Sequence, residues 1–138
     1  MLETKMFVYG TLMSGFRNYD KYLDGKVIAV RSAYIYGKLY NLKEKGCPGV
    51  TEGSDKVFGQ VISFVDDENQ SLLNTIDEFE KYFEDEKEIM FERNSVKVYF
   101  SEEETEELYY YKFLREDLFE KFNAEYIPNG NWRSFMNK

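Results

Sequence analysis

Apolar and polar positions alternate along most of the chain, with one clear helical stretch near its middle. Met6 to Tyr9 is a short apolar run that reads as a strand ending sharply at Gly10. Phe16, Tyr19 and Leu23 then fall on one face of a small helix. Apolar and aromatic residues recur at strand spacing from Lys26 to Tyr40, with a break expected at Gly37. Asn41 to Lys56 carries Gly46, Pro48, Gly49 and Gly53 and reads as loop. Val57 to Val65 alternates as another strand, after which Asp66-Asp67-Glu68 offers an N-cap and acids for the positive end of a helix dipole. A helix is predicted over Asp67 to Lys81, with Leu72, Leu73, Ile76 and Phe79 as its apolar stripe. Strands near Glu88–Tyr99 and Glu107–Phe113 follow, joined as a hairpin by the acidic turn Ser101–Glu106. Ile127-Pro128-Asn129-Gly130 is a strong turn signal. Strands outnumber helices, so the pattern predicts an α+β fold: a small curled mixed sheet or barrel with one main helix and short helices.

The end of the main helix is unusual. At about 100° per residue, with Leu72 at 0°, Ile76 falls near 40°, Leu73 near 100° and Phe79 near 340°. Glu80 lands near 80°, inside the apolar arc, whereas Asp77 lies at its margin near 140° and Glu78 on the wet side near 240°. One carboxylate is thus aimed at the interior. Burying it costs several kcal/mol, roughly, unless its proton affinity rises or a partner is supplied. A group so tuned can serve as general base and acid near neutral pH. The competing reading is that Glu80 frays into water or pairs with an arginine such as Arg93.

Composition removes several chemistries. With 18 Lys+Arg against 26 Asp+Glu, the chain carries a formal charge of −8, a poor match for nucleic acid or anionic lipid. No histidine is present, which excludes Ser-His-Asp and Cys-His catalysis and His-ligated zinc. A single cysteine, Cys47, excludes internal disulfides and thiolate clusters and fits a reducing cytoplasm. Met1 to Lys5 lacks the basic start and apolar run of a signal peptide, and no stretch approaches the roughly 20 apolar residues that span a bilayer. A length of 138 residues without Pro-rich linkers or repeats suits one domain over 1–138.

Other candidate chemistry is local. In Val8-Tyr9-Gly10-Thr11-Leu12 a strand runs into glycine, where successive open N–H groups can hold a carboxylate or an oxyanion, or glycine simply turns the chain. Asp77 and Glu80 are three apart, but neighbours on one helical turn seldom flank a sugar as glycosidase carboxylates must. The glutamates from Glu102 to Glu107 read as a solvated hairpin tip, and Cys47 as an inert small side chain. Tyr109-Tyr110-Tyr111 alternate their rings between two faces, so one hydroxyl reaches a pocket or all pack in the core.

In their order, these pieces resemble the gamma-glutamyl cyclotransferase-like superfamily, in particular its short gamma-glutamylamine cyclotransferase branch. Tyr9-Gly10-Thr11-Leu12 is similar to the family's Tyr-Gly-Thr/Ser-Leu, Gly37-Lys38-Leu39-Tyr40 to its Gly-x-Leu-Tyr, and Pro48-Gly49-Val50 to its Pro-Gly segment. Val57-Phe58-Gly59-Gln60 resembles the next strand, and Leu73 to Tyr82 the helix end Leu-Asp-x-x-Glu-Gly-Tyr. Arg93, Val96 and Val98, then Tyr111, then Gly130-Asn131-Trp132 complete a likeness running from Phe7 to Trp132. Ile76 replaces the usual Leu, Lys81 a Gly and Asn131 an Asp. The resemblance implies cleavage of a γ-glutamyl amide by the substrate's own α-amine, releasing 5-oxoproline and a free amine. It implies Glu80 as the acid/base and Tyr9, Gly10, Thr11, Leu12 and Tyr111 as substrate-binding residues, with no metal or other cofactor. The expected partner is a small γ-glutamyl amide, with neither nucleic acid nor membrane. The alternatives are a noncatalytic module that binds small molecules in the same pocket and a two-carboxylate hydrolase using Asp77.

Overall fold

The alternation that predicts separate strands around a loop belongs to one long hairpin. In the computed structural model, which describes residues 2–82 and 89–136, β2 (Val27–Leu42) pairs antiparallel with β3 (Cys47–Asp66) from Val27 opposite Phe64 to Leu42 opposite Cys47. The expected loop over Asn41–Lys56 is therefore corrected. Only residues 43–46 turn, and Pro48, Gly49 and Gly53 lie within a strand. The expected break at Gly37 is a bulge: Gly37 faces Asp55 while Lys38 faces Thr51, so residues 52–54 are extra on β3. A Cβ on Gly37 would lie 2.9 Å from the Thr51 carbonyl oxygen, and one on Gly53 2.5 Å from Lys38 Cγ. Both glycines mark a close crossing of backbones, which in sequence looks the same as a turn.

β1 (Leu2–Val8) lies antiparallel to β3 and parallel to β5 (Thr105–Phe113), meeting the latter at Met6 opposite Tyr109. β4 (Phe91–Tyr99) and β5 form the expected hairpin, with Phe91 opposite Phe113 and Tyr99 opposite Thr105. β6 (Ala124–Ile127) adds to β2. The sheet order is β3-β1-β5-β4-β2-β6, with β3 also paired to β2. It is a mixed six-stranded sheet curled on itself, but not a clean barrel, since β2 and β4 meet only at Tyr34 and Tyr99. Met6, Phe7, Ile35, Ile62 and Phe113 are all essentially inaccessible to water and belong to one hydrophobic core.

The helices are few. Tyr19–Leu23 is a π-helical turn, 116–118 a 3-10 turn, α1 spans Ser71–Tyr82 and α2 Trp132–Phe135. No helix among the described residues is long and apolar enough to cross a membrane. α1 starts four residues later than the pattern predicts because the Asp66 carboxylate, 4% exposed, accepts N–H bonds from Asp67, Leu72 and Leu73, each at 2.9 Å. Asp67 takes the Ser71 N–H at 3.0 Å. Leu73 and Ile76 bury the predicted stripe; the Phe79 and Lys81 side chains lie outside the described residues. Asp66→Ala leaves these amides without their acceptor and should cost about 1–3 kcal/mol in a urea melt. A change below about 0.5 kcal/mol would show that the cap is replaceable by water.

Candidate active site

Where β1 ends, the chain makes a bend whose carbonyls are taken up. Gly10 O accepts the Met13 N–H at 2.9 Å, and Thr11 O accepts those of Asn18 and Tyr19, both at 3.1 Å. Asn18, 4% exposed, also donates from Nδ2 to Thr11 Oγ1 at 2.7 Å. In a planar trans peptide the N–H points opposite to the C=O, and no cis peptide occurs among the described residues. Pinning the carbonyls of residues 10 and 11 on one side therefore turns the N–H groups of Thr11 and Leu12 to the other. No hydrogen bond from the N–H of Gly10, Thr11 or Leu12 forms among the described residues. Gln60 of β3 holds the far end, accepting the Ser14 N–H at 3.0 Å. Gly10 is glycine because β3 begins against it: a Cβ there would lie 2.5 Å from Pro48 Cγ.

This bend forms one wall of a pocket. Phe7, Val8, Tyr9, Gly10, Thr11 and Leu12 line one side, Cys47 and Pro48 another, and Glu80, Phe91 and Tyr111 close it. All six residues expected at the site thus meet in one cavity. Glu80 is 7% exposed. Burial, with a smaller push from the Asp77 charge, raises its carboxyl to about 8. No cationic group among the described residues pairs with it. Arg93 instead reaches Asp77, Nη2 to Oδ2 at 3.3 Å.

The tyrosines are positioned by one another. Tyr9 donates from its hydroxyl to the Tyr111 carbonyl at 2.6 Å, and Tyr111 donates to Asp77 Oδ1 at 2.6 Å. Burial drives both phenols well above their ordinary value, with the nearby carboxylates adding to it, so both remain hydroxyls. Of the three adjacent tyrosines Tyr111 lines the pocket, whereas Tyr109 is half exposed. Asp77 lies outside the lining and is occupied by Arg93 and Tyr111, which removes the observation a two-carboxylate hydrolase would need. Cys47, Pro48 and Phe91 are pocket residues that the sequence reading did not assign to the site. The signal for Pro48 was Gly10 itself, whose missing side chain makes room for the proline ring.

The model of the family described as gamma-glutamyl cyclotransferase, AIG2-like, matches residues 6–134. The chain belongs to this family. No curated protein matches it in sequence. Among solved structures it is similar to c4763, a uropathogenic E. coli-specific protein, at 19% identity and a TM-score of 0.68, covering 99% of this chain and 98% of that one. An AIG2-like protein from Mus musculus matches at 22% identity and 0.62, over 86% and 84% of the two chains. YkqA from Bacillus subtilis matches at 21% and 0.66 over 98% of this chain, which spans only 41% of YkqA. At these identities the likeness is one of fold. Among the three departures of this AIG2-like chain, Asn131 serves locally as well as Asp, since its Oδ1 caps α2 by accepting the Ser134 N–H at 2.9 Å.

Proposed function

We propose that this family member is a cyclotransferase for γ-glutamyl amides, with Glu80 as the acid/base. The observation that carries the reading is a carboxyl raised to about 8, buried without a cationic partner among the described residues, in the same small pocket as a bend of free N–H groups. The substrate's α-ammonium supplies the missing cation and gives Glu80 its proton. The neutral amine then attacks the γ-carbonyl carbon, forming the new C–N bond of a five-membered ring. Charge moves to the carbonyl oxygen, where the N–H groups of Thr11 and Leu12 are donors suited to an oxyanion. As the intermediate collapses, the carbonyl re-forms and the old amide C–N bond breaks as Glu80 returns its proton to the departing amine. Glu80 then relays the second proton of the ring nitrogen to that amine, leaving a neutral lactam, an ammonium and the free carboxylate. Nucleophile and electrophile belong to one molecule, so the pocket needs only to fold the substrate and move a proton.

A panel of γ-glutamyl amides incubated in ¹⁸O-water, read by mass spectrometry, tests this. The expected product is 5-oxoproline without solvent oxygen. Glutamate carrying one ¹⁸O would mean hydrolysis, and binding without turnover of any member would favour a noncatalytic module. Free and substrate-bound enzyme should also differ in pH response. The rising limb of kcat/KM should lie near 8, while that of kcat should lie lower, because a bound ammonium favours the ionised carboxylate.

A further inference from the structure

Three elements converge on one carboxylate beside the pocket. Asp77, one turn before Glu80 on α1, accepts the Tyr111 hydroxyl of β5 on Oδ1 at 2.6 Å and the Arg93 guanidinium of β4 on Oδ2 at 3.3 Å. Arg93 is braced in turn over the Tyr109 ring, 4.8 Å from its centroid. Tyr111 receives the Tyr9 hydroxyl on its backbone, so the chain of contacts continues to the first residue of the bend. Resting on the acid/base reading of Glu80, we propose that Asp77 is a positioning residue that ties the C-terminal half of α1 to the sheet, and that Arg93 offsets its charge beside Glu80.

The arrangement has an electrostatic logic. Asp77 is the charged group that presses on Glu80 after burial itself. The other titratable groups facing Glu80 from the described elements are the phenols of Tyr9 and Tyr111 and the Cys47 thiol. Asp77 cannot be dispensed with, because it locates Tyr111 and anchors the helix. Left alone, its negative charge would hold Glu80 protonated too firmly to accept a proton at neutral pH. Arg93 lets the anchor stay while cancelling part of its field. The two residues should therefore act on Glu80 in opposite directions, which a purely structural clamp would not do.

Asp77→Asn keeps an acceptor for the Tyr111 hydroxyl but removes the charge and the Oδ2 acceptor that Arg93 uses; Arg93→Gln removes the opposite charge. Expected for Asp77→Asn is a rising limb of kcat/KM moved down by about half a pH unit or more, and for Arg93→Gln a limb moved up by a similar amount. Arg93→Lys should restore the native position. The Glu80 carboxyl should be followed directly by ¹³C NMR of glutamate-labelled protein, with Glu80→Gln identifying its signal and thermal melts confirming the fold. Shifts of the same sign in both variants, or no shift in either, overturn the proposal. If Glu80→Gln keeps full turnover, the acid/base reading falls, yet opposite NMR displacements would still support the array. If the displacements fail while Glu80→Gln is inactive, only the array is lost.

Discussion

Glu80→Gln should lower 5-oxoproline release by about 10²–10⁴-fold while making the protein more stable above neutral pH. Glutamine keeps the shape and the hydrogen-bonding reach of the side chain but cannot take up the α-ammonium proton. The loss belongs in kcat, with a further rise in KM because the carboxylate no longer attracts the ammonium. The stability gain follows from burial. Glu80 is held near 8 in the folded protein, against 4.5 for the free group. Below about 4.5 both folded and unfolded chains hold this proton, so the group contributes no pH dependence there. Between about 4.5 and 8 the folded state keeps a proton that the unfolded chain has released, so stability falls as pH rises, and the fall is complete above about 8. Each tenfold difference in proton affinity is worth about 1.4 kcal/mol. The amide variant has no such term. Its advantage in melting temperature should therefore be near zero at pH 4 and grow steadily to pH 8 or above. A constant offset across that range would mean that the carboxyl ionises in the fold as it does in water.

Gly130→Ala should destabilise the fold by about 3 kcal/mol or more. Gly130 sits at φ +65 after the Ile127-Pro128-Asn129 turn, and a Cβ there would run into the carbonyl oxygen of Lys56. Neither side can yield cheaply. The Gly130 carbonyl accepts the Phe58 N–H at 2.8 Å, its own N–H goes to Ile127 O at 3.1 Å, and Asn131 continues as a bridge to Phe58. This contact seats α2 and brings Trp132, 1% exposed, into the core. Gly25 is the control: its φ is +79, and a Cβ there would meet nothing within 4 Å. Gly25→Ala should therefore lose only about 1 kcal/mol, the cost of the backbone conformation itself. Equal losses from the two substitutions in urea melts would show that the crossing at Lys56 carries no energy.

The helix and its inward acid were readable because a single period governs both: a carboxylate at Glu80 falls in the arc of Leu72, Leu73 and Ile76 whatever surrounds the helix. The Tyr9–Leu12 bend was readable for a similar reason, since a strand meeting glycine is a local event. The region from Asn41 to Lys56 was not. Its glycines and proline have the composition of a turn, yet Gly53, with Gly37, serves a bulge inside one long hairpin, where the two backbones cross closely. Nor does any local pattern single out Asn18 or Gln60, which hold the bend through contacts made only after the chain has folded. The choice among Tyr109, Tyr110 and Tyr111 depends on the register between β4 and β5, which a turn of unknown geometry leaves unspecified.

The Tyr9 hydroxyl reaches across 102 positions to the Tyr111 carbonyl. Closing a loop of that length costs chain entropy that local contacts do not incur. A nascent chain emerging from the ribosome as far as Glu80 already contains the acid and the amides, but β5 is still to be synthesised. A fragment truncated before Tyr111 would carry Glu80 and the Tyr9–Leu12 bend yet lack the strand that gives them a common frame, so under the proposed function it should release no 5-oxoproline.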